Sequence, residues 1–202
     1  MARAFVARGK GREAMRRLSI VIAAFAIGFA VMPMATAADN MLEAEIEGFG
    51  FPNYDEGDVA ARCPEGFGWI YNTLGGGEMT TAEYTGGFEA MGQHCSRWIS
   101  HPPTDPDQFY RGRVEAGMVT LYTPEGDLVV HYRGMFKFQG DLSLEPPEFA
   151  ARLTLVYRID GDSSTGVFAG ASGVGLMKGV DKLEAGVPSF LNMMHGPIHF
   201  ED

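Results

Sequence analysis

From residue 67 onward, apolar and polar positions alternate with a period of two. Between 87 and 99, Phe88, Ala90, Gly92, His94, Ser96 and Trp98 interleave with Glu89, Met91, Gln93, Cys95 and Arg97. Successive side chains of a strand point to opposite faces, so this run predicts a two-faced strand. The face of Phe88 and Trp98 is the more apolar. Burying it turns His94 inward and Glu89 toward solvent; the opposite choice buries Glu89 and Arg97, which would then need partners. Segment 116–123 (AGMVTLYT) meets Pro124, Glu125, Gly126 and Asp127, a turn signal, and 128–138 (LVVHYRGMFKF) resumes at once, which predicts a hairpin. Segments 80–85, 150–159, 173–180 and 196–201 read as further strands, while only 55–65 and 182–194 offer candidate helices. Proline pairs within 100–108 and 139–148 mark loops.

Seven or eight short strands joined by turns predict an all-β sandwich or barrel. Gly92, Gly117, Gly134 and Gly175 fall inside strand patterns, where glycine permits the tight bends of barrel corners. The expected fold is therefore a single antiparallel closed β-barrel of about eight strands. We expect it to occupy 67–202, after an N-terminal extension at 38–66. Its inner face should carry Tyr132, Phe136, Leu153, Leu155 and Tyr157, joined by Trp98, with Arg133, Arg152 and Arg158 outside.

The first residues read differently. Arg3, Arg8, Lys10, Arg12, Arg16 and Arg17 precede an uncharged stretch at 18–31, followed by Ala35, Thr36 and Ala37. A basic start, an apolar core and a small-x-small site predict a signal peptide over 1–37 and a periplasmic or secreted protein. The apolar core is shorter than the roughly 20 residues that span a bilayer, so no stable membrane insertion is expected after cleavage. The whole chain has a net charge of −10; without the six basic residues and one acid of 1–37 it becomes −15. That balance excludes nucleic acid as a partner, because no basic field is left to displace phosphate counterions. Cys63 and Cys95 are the only two cysteines, and in an exported chain they are expected to form one disulfide.

Residues 163–179 read SSTGVFAGASGVGLMKG. This resembles the G-T-G-x-F-x-G-A-x-G corner of small antiparallel barrels related to allene oxide cyclase and plant dirigent proteins, found also in exported bacterial barrels of lipocalin-like (calycin) shape. Ile159, Asp160, Gly161 and Asp162 stand where those families place I-x-G-G, and the resemblance spans about 80–180. It departs at 90–94, where Ala-Met-Gly-Gln-His replaces a common T-H-L-G. The resemblance implies a barrel that binds a small apolar molecule, or one that shapes a reactive substrate without a cofactor. Read on its own residues, the glycine-rich corner lets the backbone pack closely, with Phe168 as an apolar plug.

Chemistry-bearing motifs are few. His195 and His199 are four apart, but Pro197 between them opposes a helical metal pair, so no metal site is assigned. The corner lacks the Gly-Lys-Ser/Thr of a phosphate loop. His94, Glu89 and Tyr132 are the candidates for acid–base work. Trp98, Tyr132, Phe136, Leu153, Leu155 and Tyr157 are the candidate ligand contacts. The leading expectation is an exported barrel holding a small, largely apolar molecule, with no cofactor. A cofactor-independent cyclase, isomerase or lyase is the alternative, followed by a structural module that could form a homo-oligomer.

Overall fold

A computed structural model describes residues 40–100, 105, 107–141, 148–184 and 186–201. The signal peptide assigned to 1–37 and the proline pairs at 102–103 and 146–147 lie outside the described residues. The chain forms β1 (Met41–Asn53), a short helix α1 (Glu56–Arg62), β2 (Trp69–Thr80), β3 (Thr85–Trp98) and β4 (Tyr110–Thr123). It continues through β5 (Gly126–Asp141), β6 (Glu148–Ile159), a 3-10 turn (Gly166–Phe168), β7 (Val174–Glu184) and β8 (Val187–Pro197). Each strand pairs antiparallel with the next, and β8 returns to β1 from Met41↔Pro197 to Gly48↔Phe190, closing an eight-strand barrel. Closure leaves no unpaired edge, which an open sheet would have to protect.

Four expected boundaries change. Residues 41–53 are not part of an extension: they are a barrel strand, paired along its length with β2 and β8. Leu42, Ala44 and Ile46 alternate with Glu43, Glu45 and Glu47, so the period-two signal begins before residue 67. Residues 182–194 are not helical. They end β7 and build β8 around Gly186, whose φ of 78° makes the turn. Phe190 and Met194 are buried while Leu191 and Met193 are exposed, a strand period that also imitates a helical apolar spacing. Segment 80–85 is mostly the β2–β3 connection, and the last strand stops at Pro197, with His199 bridged to Ser172.

The barrel interior divides into two ends. At one end Phe168 is fully buried, its ring 5.9 Å from Tyr84 and 6.4 Å from Phe200. Leu42, Leu121, Leu128 and Ile198 complete a solid apolar core there. The glycine-rich corner holds this plug in place by docking on the β4–β5 turn. Thr165 N–H donates to Asp127 O and the Asp127 N–H donates to Thr165 Oγ1, each at 2.9 Å. Gly166 has a φ of 59°, and a Cβ there would collide with Glu125 O, so glycine is required. At the other end, the β1–β2 connection folds back over the outer wall. Asp55 caps α1 by accepting from the Asp58 N–H at 2.9 Å, and the Cys63–Cys95 disulfide ties the connection to β3. Arg97, beside that bond on the outer face, lies over the Phe67 ring at 5.2 Å.

Candidate functional site

The end away from the plug is a cavity of about 470 Å³. It lies where β1, β3, β5 and β7 finish and β2, β4, β6 and β8 begin, and its wall is aromatic. Most of the lining side chains come from inward strand positions. Trp69 and Tyr71 come from β2, His94, Ser96 and Trp98 from β3, and Phe136 and Phe138 from β5. Phe149 and Leu153 come from β6, and Asp181 and Leu183 from β7. The rings touch in sequence: Tyr54 to Trp69 at 6.2 Å, Trp69 to Trp98 at 5.3 Å, Trp98 to Phe138 at 5.2 Å, Phe138 to Phe149 at 5.1 Å. Tilted and edge-on pairs at such separations add attraction beyond area burial and hold the rings in fixed orientations. Gly112 sits opposite Phe136, and a Cβ there would fall on the ring, so glycine lets Phe136 lie across the wall.

The floor is polar. It narrows to a void of about 20 Å³ among Thr73, His94, Tyr132, Asp181 and Asn192, with Ile46 and Leu155 beside them. A one-residue bulge in β4, with Ala116 at φ 48°, shifts register against both β3 and β5 next to His94 and Tyr132. Bulges of this kind bend a strand and re-aim its neighbours. The Tyr132 hydroxyl lies 3.1 Å from His94 Nδ1, and the His94 ring stacks 5.4 Å from Tyr71. Burial lowers the His94 pKa from 6.5 to about 4, so the imidazole is neutral near pH 7.

Asp181 is the unusual member. It is 8% exposed, lines both the cavity and the void, and has no hydrogen bond or ion pair among the described residues. Loss of water raises its pKa from 3.8 to about 7. Its negative charge acts in turn on Tyr71 and Tyr132, whose phenols are raised chiefly by burial and secondarily by Asp181. The floor thus pairs a neutral imidazole with a carboxyl that gains or loses its proton near neutrality, a pairing suited to holding a polar group or moving a proton.

The structure distributes the predicted residues unevenly. His94, Trp98, Phe136 and Leu153 line the cavity, and Tyr132 and Leu155 line the void beneath it. Tyr157 is fully buried but borders neither; its ring packs against Gly175 and Gly196. Glu89 is exposed on the outer wall, the consequence of burying the Phe88 face, and does not meet His94 or Tyr132. Arg133, Arg152 and Arg158 are exposed as well. Cys63 and Cys95 form the expected disulfide, which points to an oxidising, non-cytoplasmic location. His195 lies on the outside 3.4 Å from Glu43, far in register from His94. No group of three metal-ligating side chains occurs among the described residues. Pattern reading missed Asp181, Tyr71, Trp69, Phe138 and Phe149. For Asp181 the local pattern was divided: it shares a face with Met177 and Gly179, but Leu176 and Val180 stand on the opposite face with Lys178 and Lys182.

Fold and site together define an eight-strand antiparallel barrel, plugged at one end and open at the other onto an aromatic cavity with a buried carboxyl. Comparison with known protein families, characterised proteins and solved structures finds no match.

Proposed function

We propose that this protein is exported to the periplasm or beyond and binds a small, largely apolar molecule in the open half of its barrel. The observation that carries the reading is the cavity of about 470 Å³, lined by aromatic side chains and open at one end. Pockets of that size and lining suit small organic ligands, which bury most of their surface there. The basic, apolar and small-residue order of 1–37 and the Cys63–Cys95 disulfide support export. The likeness of 163–179 to the corner of allene-oxide-cyclase and dirigent barrels is consistent with this architecture.

The test uses N-phenyl-1-naphthylamine, an apolar fluorescent probe, with Ala151→Trp as a cavity-filling variant. Ala151 faces the cavity and is buried, so an indole there would occupy ligand space. The expected result is saturable uptake of one probe per chain by the native protein and loss of uptake in the variant, with an unchanged far-ultraviolet circular dichroism spectrum. Absence of saturable uptake by the native protein, or equal uptake by a folded variant, would overturn the reading.

A further inference from the structure

We infer that the preferred occupant of this cavity is an organic monocation: a quaternary or protonated amine on a flat apolar body, its positive nitrogen set against Asp181 and the surrounding ring faces. This rests on the cavity being a ligand site, as proposed above, and adds the chemical class of the ligand.

Three observations support it. First, Asp181 is a carboxyl more than nine-tenths buried, open only to the cavity and unpartnered among the described residues. A carboxylate removed from water is strongly unfavourable without a counter-charge, and no Lys or Arg among the described residues lines this space. An anionic ligand would be repelled, and a neutral one would leave the charge unpaired. Second, the wall is built from Trp69, Tyr71, Trp98, Phe136 and Phe138, whose ring faces are the negative ends of aromatic quadrupoles. Desolvated rings of this kind attract a cation. Third, the chain as a whole is acidic, with a net charge of −10, so its field draws cations and disfavours anions before contact.

The groups facing Asp181 do not supply the missing positive charge. Tyr71 comes from β2, His94 from β3 and Tyr132 from β5; apart from Asp181 itself, the other lining side chains among the described residues are uncharged. His94 is held neutral by burial. A cation bound at Asp181 favours the carboxylate, so the preference should strengthen as pH rises through about 7 and fade as pH falls and the carboxyl takes up a proton.

Isothermal titration of the purified protein with three probes that share a 2-naphthylmethyl body tests this: (2-naphthylmethyl)trimethylammonium, 2-naphthalenemethanol and the anion of 2-naphthaleneacetic acid (the acetate). At pH 8.5 the ammonium should bind about tenfold or more tighter than the alcohol, and the acetate weakest, since tenfold is only 1.4 kcal/mol. At pH 5 the gap between ammonium and alcohol should narrow to what the rings alone supply. In Asp181→Asn the preference should fall to that same smaller value at both pH values while alcohol affinity stays within about threefold, which also reports that the variant is folded. Equal or tighter binding of alcohol or acetate at pH 8.5 overturns the cation assignment and leaves the apolar-ligand reading standing. A preference in Asp181→Asn that is as large as in the native protein, or that still changes between pH 5 and pH 8.5, overturns the role of that residue. Failure of all three probes to bind overturns both readings.

Discussion

Asp181→Asn should uncouple two opposing pH dependences of folding. The native carboxyl keeps its proton up to about 7, whereas an unfolded chain sheds it near the ordinary 3.8. Between those values the native state holds the extra proton, so stability falls as pH rises, and the loss is complete above about 7. Moving a carboxyl over that range corresponds to about 4 kcal/mol, a ceiling because the cavity-facing part of the group keeps some solvation. His94 works the other way. Its native pKa is about 4 against 6.5 unfolded, so the unfolded state takes the proton first and stability falls as pH drops through that window, by about 3 kcal/mol. From about pH 4 to 6.5 the two slopes cancel, and in that window this pair leaves the native protein insensitive to pH. Asparagine keeps the shape but not the titration. The variant should gain stability over the wild type by about 4 kcal/mol between pH 4 and pH 8. Urea unfolding at each pH, followed by the fluorescence of Trp69 and Trp98 with the disulfide intact, measures both proteins; every other titrating group cancels in the difference. A difference that is the same at pH 4 and pH 8 would show that Asp181 is hydrated in the native state, and the argument from its burial would fall.

Two further outcomes probe the frame around the cavity. Replacing both Cys63 and Cys95 by alanine releases a loop with a separation of 32 residues and should cost about 4 kcal/mol on the chain-entropy model. Limited proteolysis should then cut first in the 54–68 connection; unchanged urea midpoints and cutting patterns would refute it. Phe168→Ala removes a fully buried ring from the plug and should cost about 3–5 kcal/mol in urea unfolding, while probe affinity at the distant open end stays unchanged. Loss of probe binding in a folded variant would show that the two ends are not independent.

The barrel was legible because strand faces repeat every two residues and little else competes with that signal. The face choice on β3 followed from apolar content alone, and it placed His94 inside and Glu89 outside as the structure does. The errors have physical causes as well. In 41–53 the outward positions begin with three glutamates and the inward ones include Gly48 and Gly50, so a strand reads as a polar, glycine-rich leader. In β8, Phe190, Leu191, Met193 and Met194 fit a helix stripe as well as two strand faces; only the turn at Gly186 separates them. Asp181 escaped notice because it stands beside Lys182 in a charged-looking run. Whether such a residue faces water is decided by register against β6 and β8, which no local pattern contains.

An eight-strand barrel has an interior that side chains can just fill, as they do around Phe168. The open half departs from that in two ways. Its rings stand along the wall instead of crossing the centre, so they lose the contacts that a plug would give them. Its floor also holds a carboxyl without a hydrogen-bond or ion-pair partner among the described residues. Either feature alone destabilises the fold, and both fall in the same space. A single occupant answers both when it combines an apolar body, which restores contact with the rings, and a positive centre, which compensates the carboxylate. Such a ligand binds only the folded state, so it should raise stability by mass action. The rise should be larger above pH 7 than below, because that is where the unpaired charge costs most.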